Sequence, residues 1–238
     1  MESSASVDFL SQTVALLINM SKDVRSLTPV SIGHMWSIVA TALKPAPQHT
    51  SKPDLFFAIT TLITTLVRSR RALIVNSLPL LAEAIVGLLL TLRTSRPHLG
   101  SSQSRIITST HPSWVAVEAP LGKKHAEELA RLMSVITVKT PEQGYQRTTQ
   151  SKLESLAKPF SRHAPYVLQA YINMITDPFG EVASETRRSL QPGVFALCSM
   201  VGDEDRDALM ASLPRSTSKA LFRALWQEYD KQRYVGKG

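Results

Sequence analysis

Cysteine is almost missing from this chain of 238 residues: Cys198 stands alone, so no internal disulfide can form. A reducing setting such as cytosol or nucleus is expected. Within Val194-Phe195-Ala196-Leu197-Cys198 it reads as a small buried hydrophobe. Aromatics are also scarce, at 6%, which excludes the strand-borne stacking platforms of RNA-recognition folds. The histidines His34, His49, His98, His111, His125 and His163 never recur as H-x-x-x-H or next to the cysteine, so no zinc ligand set is visible. His125-Ala126-Glu127-Glu128 reads as the solvated polar face of a helix. Gly236-Lys237-Gly238 is the only G-x-G, and Gly122-Lys123 has Val117 where a P-loop needs its first glycine. Neither a G-x-S-x-G elbow nor a Cys–His motif occurs. These gaps predict a protein that binds macromolecules, with no catalysis, cofactor, metal or small-molecule substrate.

Export and membrane signals are thin as well. The opening Met1-Glu2-Ser3-Ser4-Ala5 is acidic and polar, unlike a secretory or transit signal. Ala72 to Leu92 has the length of a membrane span but contains Asn76, Pro79 and Glu83. A carboxylate in mid-span costs about 2.5–3.5 kcal/mol, and Ser77-Leu78-Pro79 resembles a helix start. The segment therefore reads as the buried central helix of a globular α-protein, with no membrane contact expected.

What the chain does have is helical periodicity, with 43% hydrophobic residues and next to no period-two alternation. Leu10, Val14, Leu17 and Ile18 share one face of a first helix beginning near Ser6. Thr28-Pro29 opens a second through Leu43, stopped by Lys44-Pro45-Ala46-Pro47. A third covers Leu55 to Val67, and a fourth runs from Ser77 or Leu78 to about Arg93. From Thr94 to Pro120 the pattern lapses into an irregular connection, with Trp114-Val115-Ala116-Val117 as an apolar anchor. Helices follow at Lys123 to Val138, Ser151 to Phe160 with a capping box, and Tyr166 to Thr176 with Pro165 at its start. The helix after Pro165, apolar nearly all round, should be central. Three more are expected at Glu181–Leu190, Gly193–Val201 and Glu204–Leu213 with Asp203 as N-cap, before a last helix capped by Ser216. The fold class is all-α. An irregular HEAT/armadillo-like stack of antiparallel helix pairs is the expected architecture, with a closed bundle as the alternative. One domain over 1–238 is expected, its helical parts 1–96 and 122–238 joined by an irregular loop, 97–121.

Lys plus Arg number 27 against 19 Asp plus Glu, a formal charge of +8, which favours polyanionic neighbours. Positive charge gathers at Arg68-Ser69-Arg70-Arg71, at Lys123-Lys124, at Arg147, Lys152, Lys158 and Arg162, and along the last helix through Arg223 and Lys231. Taken singly, each is ordinary solvated surface.

The C-terminal runs say more. Arg162-His163-Ala164-Pro165-Tyr166-Val167-Leu168-Gln169-Ala170-Tyr171-Ile172, Arg188-Ser189-Leu190-Gln191-Pro192-Gly193-Val194-Phe195-Ala196-Leu197 and Phe222-Arg223-Ala224-Leu225-Trp226-Gln227-Glu228-Tyr229-Asp230-Lys231 resemble successive elements of a nucleolar pre-rRNA-processing family. The family is named for unhealthy ribosome biogenesis, or as nucleolar preribosomal-associated proteins (Urb/Npa), and the likeness is to its C-terminal domain. It covers most of the chain in order; the first hundred residues match as amphipathic helices. Members usually carry helical solenoid upstream. The resemblance implies a nuclear, nucleolar location and a non-catalytic part in assembling early large-subunit precursors, with pre-ribosomal assembly factors and pre-rRNA as partners. A helical protein–protein adaptor without RNA contact is the alternative.

Pro165, Pro192 and Gly193 read as backbone punctuation, and Tyr166, Tyr171, Phe222, Trp226 and Tyr229 as structural aromatics. Arg162 and His163, ahead of an apolar helix, are expected to bond loop carbonyls or a carboxylate, with RNA contact as the second reading. They join Lys123, Lys124, Lys152, Lys158, Arg223 and Lys231 as candidate contacts to partner or RNA.

Overall fold

The computed structural model describes residues 2–23, 27–69, 71–116, 118–141 and 153–235. Its helices are α1 (Glu2–Lys22), α2 (Pro29–Ala42), α3 (Asp54–Ser69), α4 (Arg71–Ile74), α5 (Leu78–Leu90), α6 (Ser101–Thr108), α7 (Lys123–Val135), α8 (Ala157–Phe160), α9 (Ala164–Ile175), α10 (Ser184–Cys198), α11 (Asp203–Ser212) and α12 (Ser216–Val235). Extended backbone is confined, among the described residues, to the two-residue strands β1 (Thr94–Ser95), β2 (Thr140–Pro141), β3 (Leu153–Glu154) and β4 (Gly180–Glu181) and an isolated bridge between Pro45 and Pro112. The chain is all-α, as its periodicity predicts.

Local signals place most helix starts. Thr28 Oγ1 accepts from the Ser31 N–H at 3.1 Å with Pro29 at the first position of α2, which satisfies one otherwise orphaned amide. Pro79 and Pro165 occupy the same kind of early position in α5 and α9. On α1, Val7 and Val14 are buried, and Leu10, Leu17 and Ile18 pack against the core.

Pairwise contacts show how the helices stack. Asp8 of α1 pairs with Lys52, just ahead of α3. Phe56 and Phe57 in the first turn of α3 hold the His125 ring of α7 at 5.3 and 4.6 Å. Lys123 at the start of α7 reaches Glu185 at the start of α10, 3.3 Å away. Each neighbour thus begins at the same end, so α1, α3, α7 and α10 form one layer of helices running in one direction. The second layer is α2, α5 and α9. Trp36 Nε1 donates to Ser77 Oγ, just before α5, at 2.9 Å, and Leu43 covers Gly87 near the end of α5. Arg93 beyond α5 pairs with Asp177 beyond α9 at 2.9 Å. Short links join α1 to α2 and α3 to α5, so the second layer runs against the first. At the far end α12 lies antiparallel to α9: Ser218 near its start hydrogen-bonds Thr176 at 2.9 Å, and Leu225 further along shares a groove with Tyr171. One hydrophobic cluster runs through the stack, from Val7 to Leu225.

Arg71–Leu90 is long and apolar enough to cross a membrane, with mean hydropathy 2.1. In the fold a 3₁₀ turn, Val75–Ser77, interrupts it, and Leu78, Leu81, Ile85 and Leu88 are buried in the core.

Several elements differ from expectation. The stretch 97–121 is not wholly irregular: α6 lies inside it, started by an extended Gly100 and tied down by buried Ile107, a single apolar contact too sparse to register as periodicity. Trp114 is the expected anchor, with Nε1 donating to the Ala42 carbonyl at 2.7 Å; Val117 is outside the described residues. The two helices expected on either side of Pro192 are one. Pro192 sits exposed within α10, and the helix continues through it. α11 has Gly202, not Asp203, at its N-cap; Asp203 is its first residue. Ser151 of the expected capping box is outside the described residues. Thr140–Pro141 pairs with Leu153–Glu154, leaving α8 a single turn. α9 is not apolar all round: Tyr166 and Asn173 face solvent, while Val167, Leu168, Tyr171, Ile172 and Met174 are buried.

Candidate functional site

Antiparallel layers give the stack two edges, and the predicted cations are divided between them. The edge holding the starts of α3, α7 and α10 also carries the ends of α2, α5 and α9 and the 96–121 connection. Lys123 and Lys124 stand here, exposed on the first turn of α7; Lys123 is shared with Glu185, and Lys124 has no partner among the described residues. At the opposite edge, Lys158 on α8 and Arg162 in the turn before α9 are exposed, next to Tyr166, which is 52% exposed. Arg223 and Lys231 are exposed on α12. Lys152, like Arg147 and Arg70, is outside the described residues. The candidates therefore form separate patches rather than one.

Arg162 takes neither of the structural partners expected for it: among the described residues its side chain makes no hydrogen bond or ion pair. His163 is half-buried with its ring tilted on Phe160 at 5.9 Å, and its backbone N–H, not its imidazole, bonds the Phe160 carbonyl at 2.8 Å. Tyr166, grouped with the structural aromatics, is instead a surface residue, because position 166 falls on the face of α9 turned from both layers. Arg162, Tyr166 and Lys158 thus present two cations and a phenol on one exposed corner.

The remaining structural residues divide. Phe222 is fully buried and Tyr171 nearly so. Trp226 and Tyr229 are half-buried on the outer side of the cluster, with Arg206 of α11 5.7 Å above the Trp226 ring. Burial pushes the Tyr171 phenol above its ordinary range, opposed by Arg187 and reinforced by Glu228. Gly193 is not punctuation. It lies inside α10 where a Cβ would come within 2.7 Å of Ala130 Cα, so its missing side chain lets α7 and α10 touch backbone to backbone.

Three features escaped the sequence. Arg187 and Arg188, exposed on α10, line an open groove of about 340 Å³ with Tyr171, Leu225 and Glu228. His125 is no solvated group: Nδ1 accepts from the Gly122 N–H at 3.2 Å as part of the helix cap, and the ring is wedged against Phe56 and Phe57. Burial holds its pKa down, opposed by the Gly122 bond. His111 is 4% exposed, and its pKa falls to about 4, through burial first, then Arg93 and His49. Of these, Arg188 alone had a signal, as the first residue of the second family-like run.

His111 has a measurable consequence. Its folded pKa lies below the ordinary value of about 6.5, so between pH 6.5 and 4 the unfolded chain holds a proton that the folded chain refuses. Stability from this site is intact above that window and lost as pH falls through it. At pH 5 the loss is about 2 kcal/mol. Urea unfolding of wild type and His111→Gln at pH 7 and 5 should show the variant losing less on acidification; equal losses would refute the assignment.

A family model described as the Urb2/Npa2 family matches residues 9–237. No curated protein and no solved structure matches the chain.

Proposed function

The chain belongs to the Urb2/Npa2 family, a nuclear family of ribosome-biogenesis factors, and from that membership we propose that it is a non-catalytic scaffold of early large-subunit assembly in the nucleolus. In this reading the two layers are a HEAT-like stack whose outer surface binds pre-ribosomal assembly factors and pre-rRNA. The observation that carries it is the exposed corner of Lys158, Arg162 and Tyr166: two cations without partners among the described residues, beside an exposed ring, which suits phosphate contact with stacking. Arg162 and Tyr166 belong to the first family-like run, and Lys158 lies four residues ahead of it. No step of chemistry is assigned to any residue.

The test is binding of a pre-rRNA fragment across a salt series, with co-sedimentation of the tagged chain on gradients. RNA contact predicts an affinity that falls steeply with salt, each lost phosphate contact reducing the log–log slope by about 0.7 for single strands. Lys158→Glu with Arg162→Glu should flatten that slope by more than one such step while leaving the fold intact. The adaptor reading, favoured by half-buried Trp226 in the groove between α11 and α12, predicts particle association with hardly any salt response. A chain absent from pre-ribosomal particles would remove both.

A further inference from the structure

Arg93, Ser95, Thr108, His111, Val115 and Ala116 line a cavity of about 260 Å³ at the edge that carries the 96–121 connection. Two of them hold buried polar atoms that are unpartnered among the described residues: both ring nitrogens of His111 and the Nε of Arg93 make no hydrogen bond there. The rest of the Arg93 guanidinium is fixed: Nη1 donates to Asp177 Oδ2 at 2.9 Å and Nη2 to Thr110 Oγ1 at 2.8 Å. An unpartnered buried polar group is destabilising, and native folds retain few of them without an occupant nearby. Here three such atoms sit on neighbouring residues at one cavity. One part of the lining bears donors; another, Val115 and Ala116, is apolar. That combination suits a side chain with a short methylene stem and a polar tip.

We infer that the cavity receives the carboxylate of an aspartate or glutamate from an acidic segment of a protein partner, held by the Arg93 Nε–H and a His111 N–H with Val115 and Ala116 against its stem. The chain's charge of +8 favours an acidic partner. A phosphodiester, tethered on both sides and without a stem, cannot enter a recess of this size end-on. The site is distinct from the Lys158–Arg162 corner, which lies at the opposite edge, and does not depend on RNA binding.

Proton uptake makes occupancy visible. His111 is faced by Arg93 from the end of α5 and by His49, whose Nδ1–H donates to the Pro112 carbonyl at 3.2 Å. Asp177 lies beyond Arg93, and β1 and α6 add the hydroxyls of Ser95 and Thr108. A carboxylate beside the ring favours imidazolium. In the full chain, saturating formate should raise the His111 midpoint, followed by its Cε1–H resonance, from about 4 by one pH unit or more, a tenfold linkage. Formate should also shift the Ser95 and Ala116 amides with one-site saturation. Arg93→Lys keeps the charge next to Asp177 but lacks Nε–H, and should weaken formate at least tenfold by those amide shifts; His111→Gln, a second route, should weaken it through loss of the proton. A midpoint indifferent to formate leaves the cavity to water and overturns the proposal. So does a response to inorganic phosphate without one to formate, or unchanged formate affinity in folded samples of both variants.

Discussion

Gly193→Val is expected to destabilise the fold by about 3 kcal/mol or more, which lowers the melting temperature by roughly 6–12 °C in a chain of this size. A Cβ at 193 would stand 2.5 Å from Met133 Cε, 2.7 Å from Ala130 Cα and 3.0 Å from Ala130 O. The Met133 methyl can swing aside. The Ala130 backbone moves only if α7 and α10 part, and that exposes a seam including Leu129, Leu190, Val194 and Leu197, each fully buried. Better helix propensity returns only a few tenths of a kcal/mol. Gly33 is the contrast: it lies within α2, is exposed, and nothing stands within 4 Å of an added Cβ. Gly33→Ala should stabilise by about 1 kcal/mol. Thermal melts of both variants, with Met133→Ala added to Gly193→Val, are the check. If removing the Met133 side chain restores the wild-type melting temperature, the close backbone approach is not what requires glycine.

Residues whose reasons are local were legible. Thr28-Pro29 announces α2 because cap and proline act on the very next turn, and the spacing of Leu10, Val14, Leu17 and Ile18 fixes the buried face of α1 without reference to any other element. Trp114 was readable as an anchor because a large apolar side chain in a polar loop has few other uses. The family-like runs from Arg162 onward were legible as well, and the family match spans residues 9–237.

Residues whose reasons lie elsewhere in the chain were not. Pro192-Gly193 looks like a break because proline and glycine both disfavour helix interiors. The compensation, exposure of the proline and contact of the glycine with Ala130, depends on a helix some sixty positions earlier. His125 looked solvated beside Glu127 and Glu128, since nothing local reveals that Phe56 and Phe57 lie over its ring. His111 is buried by the return of its loop onto the ends of α2 and α5, a path no periodicity encodes. The candidate cations were identified by type but not by grouping, because which edge each one occupies follows from helix direction in the layers.

Asp177→Ala should cost about 3–5 kcal/mol, the range for removing one partner of a buried ion pair. Arg93 and Asp177 have side chains only 10% and 18% exposed. Burial already pulls the Arg93 pKa down, with Asp177 opposing it, so without the carboxylate the guanidinium is left charged and poorly solvated. Asp177 does more than pair. Its Oδ1 accepts the Phe179 N–H at 2.9 Å, which turns the chain toward β4, and Arg96 Nη2 donates to its carbonyl at 3.2 Å. The loss therefore falls on the junction joining α5, β1 and the end of α9. Replacing both partners, as Arg93→Met with Asp177→Leu, removes the stranded charge and should be at least about 2 kcal/mol less damaging than the two single losses added together. Chemical denaturation of the singles and the double gives the coupling directly. Strictly additive losses would mean that water reaches this pair freely, and the ends of α5 and α9 would then be held by packing alone.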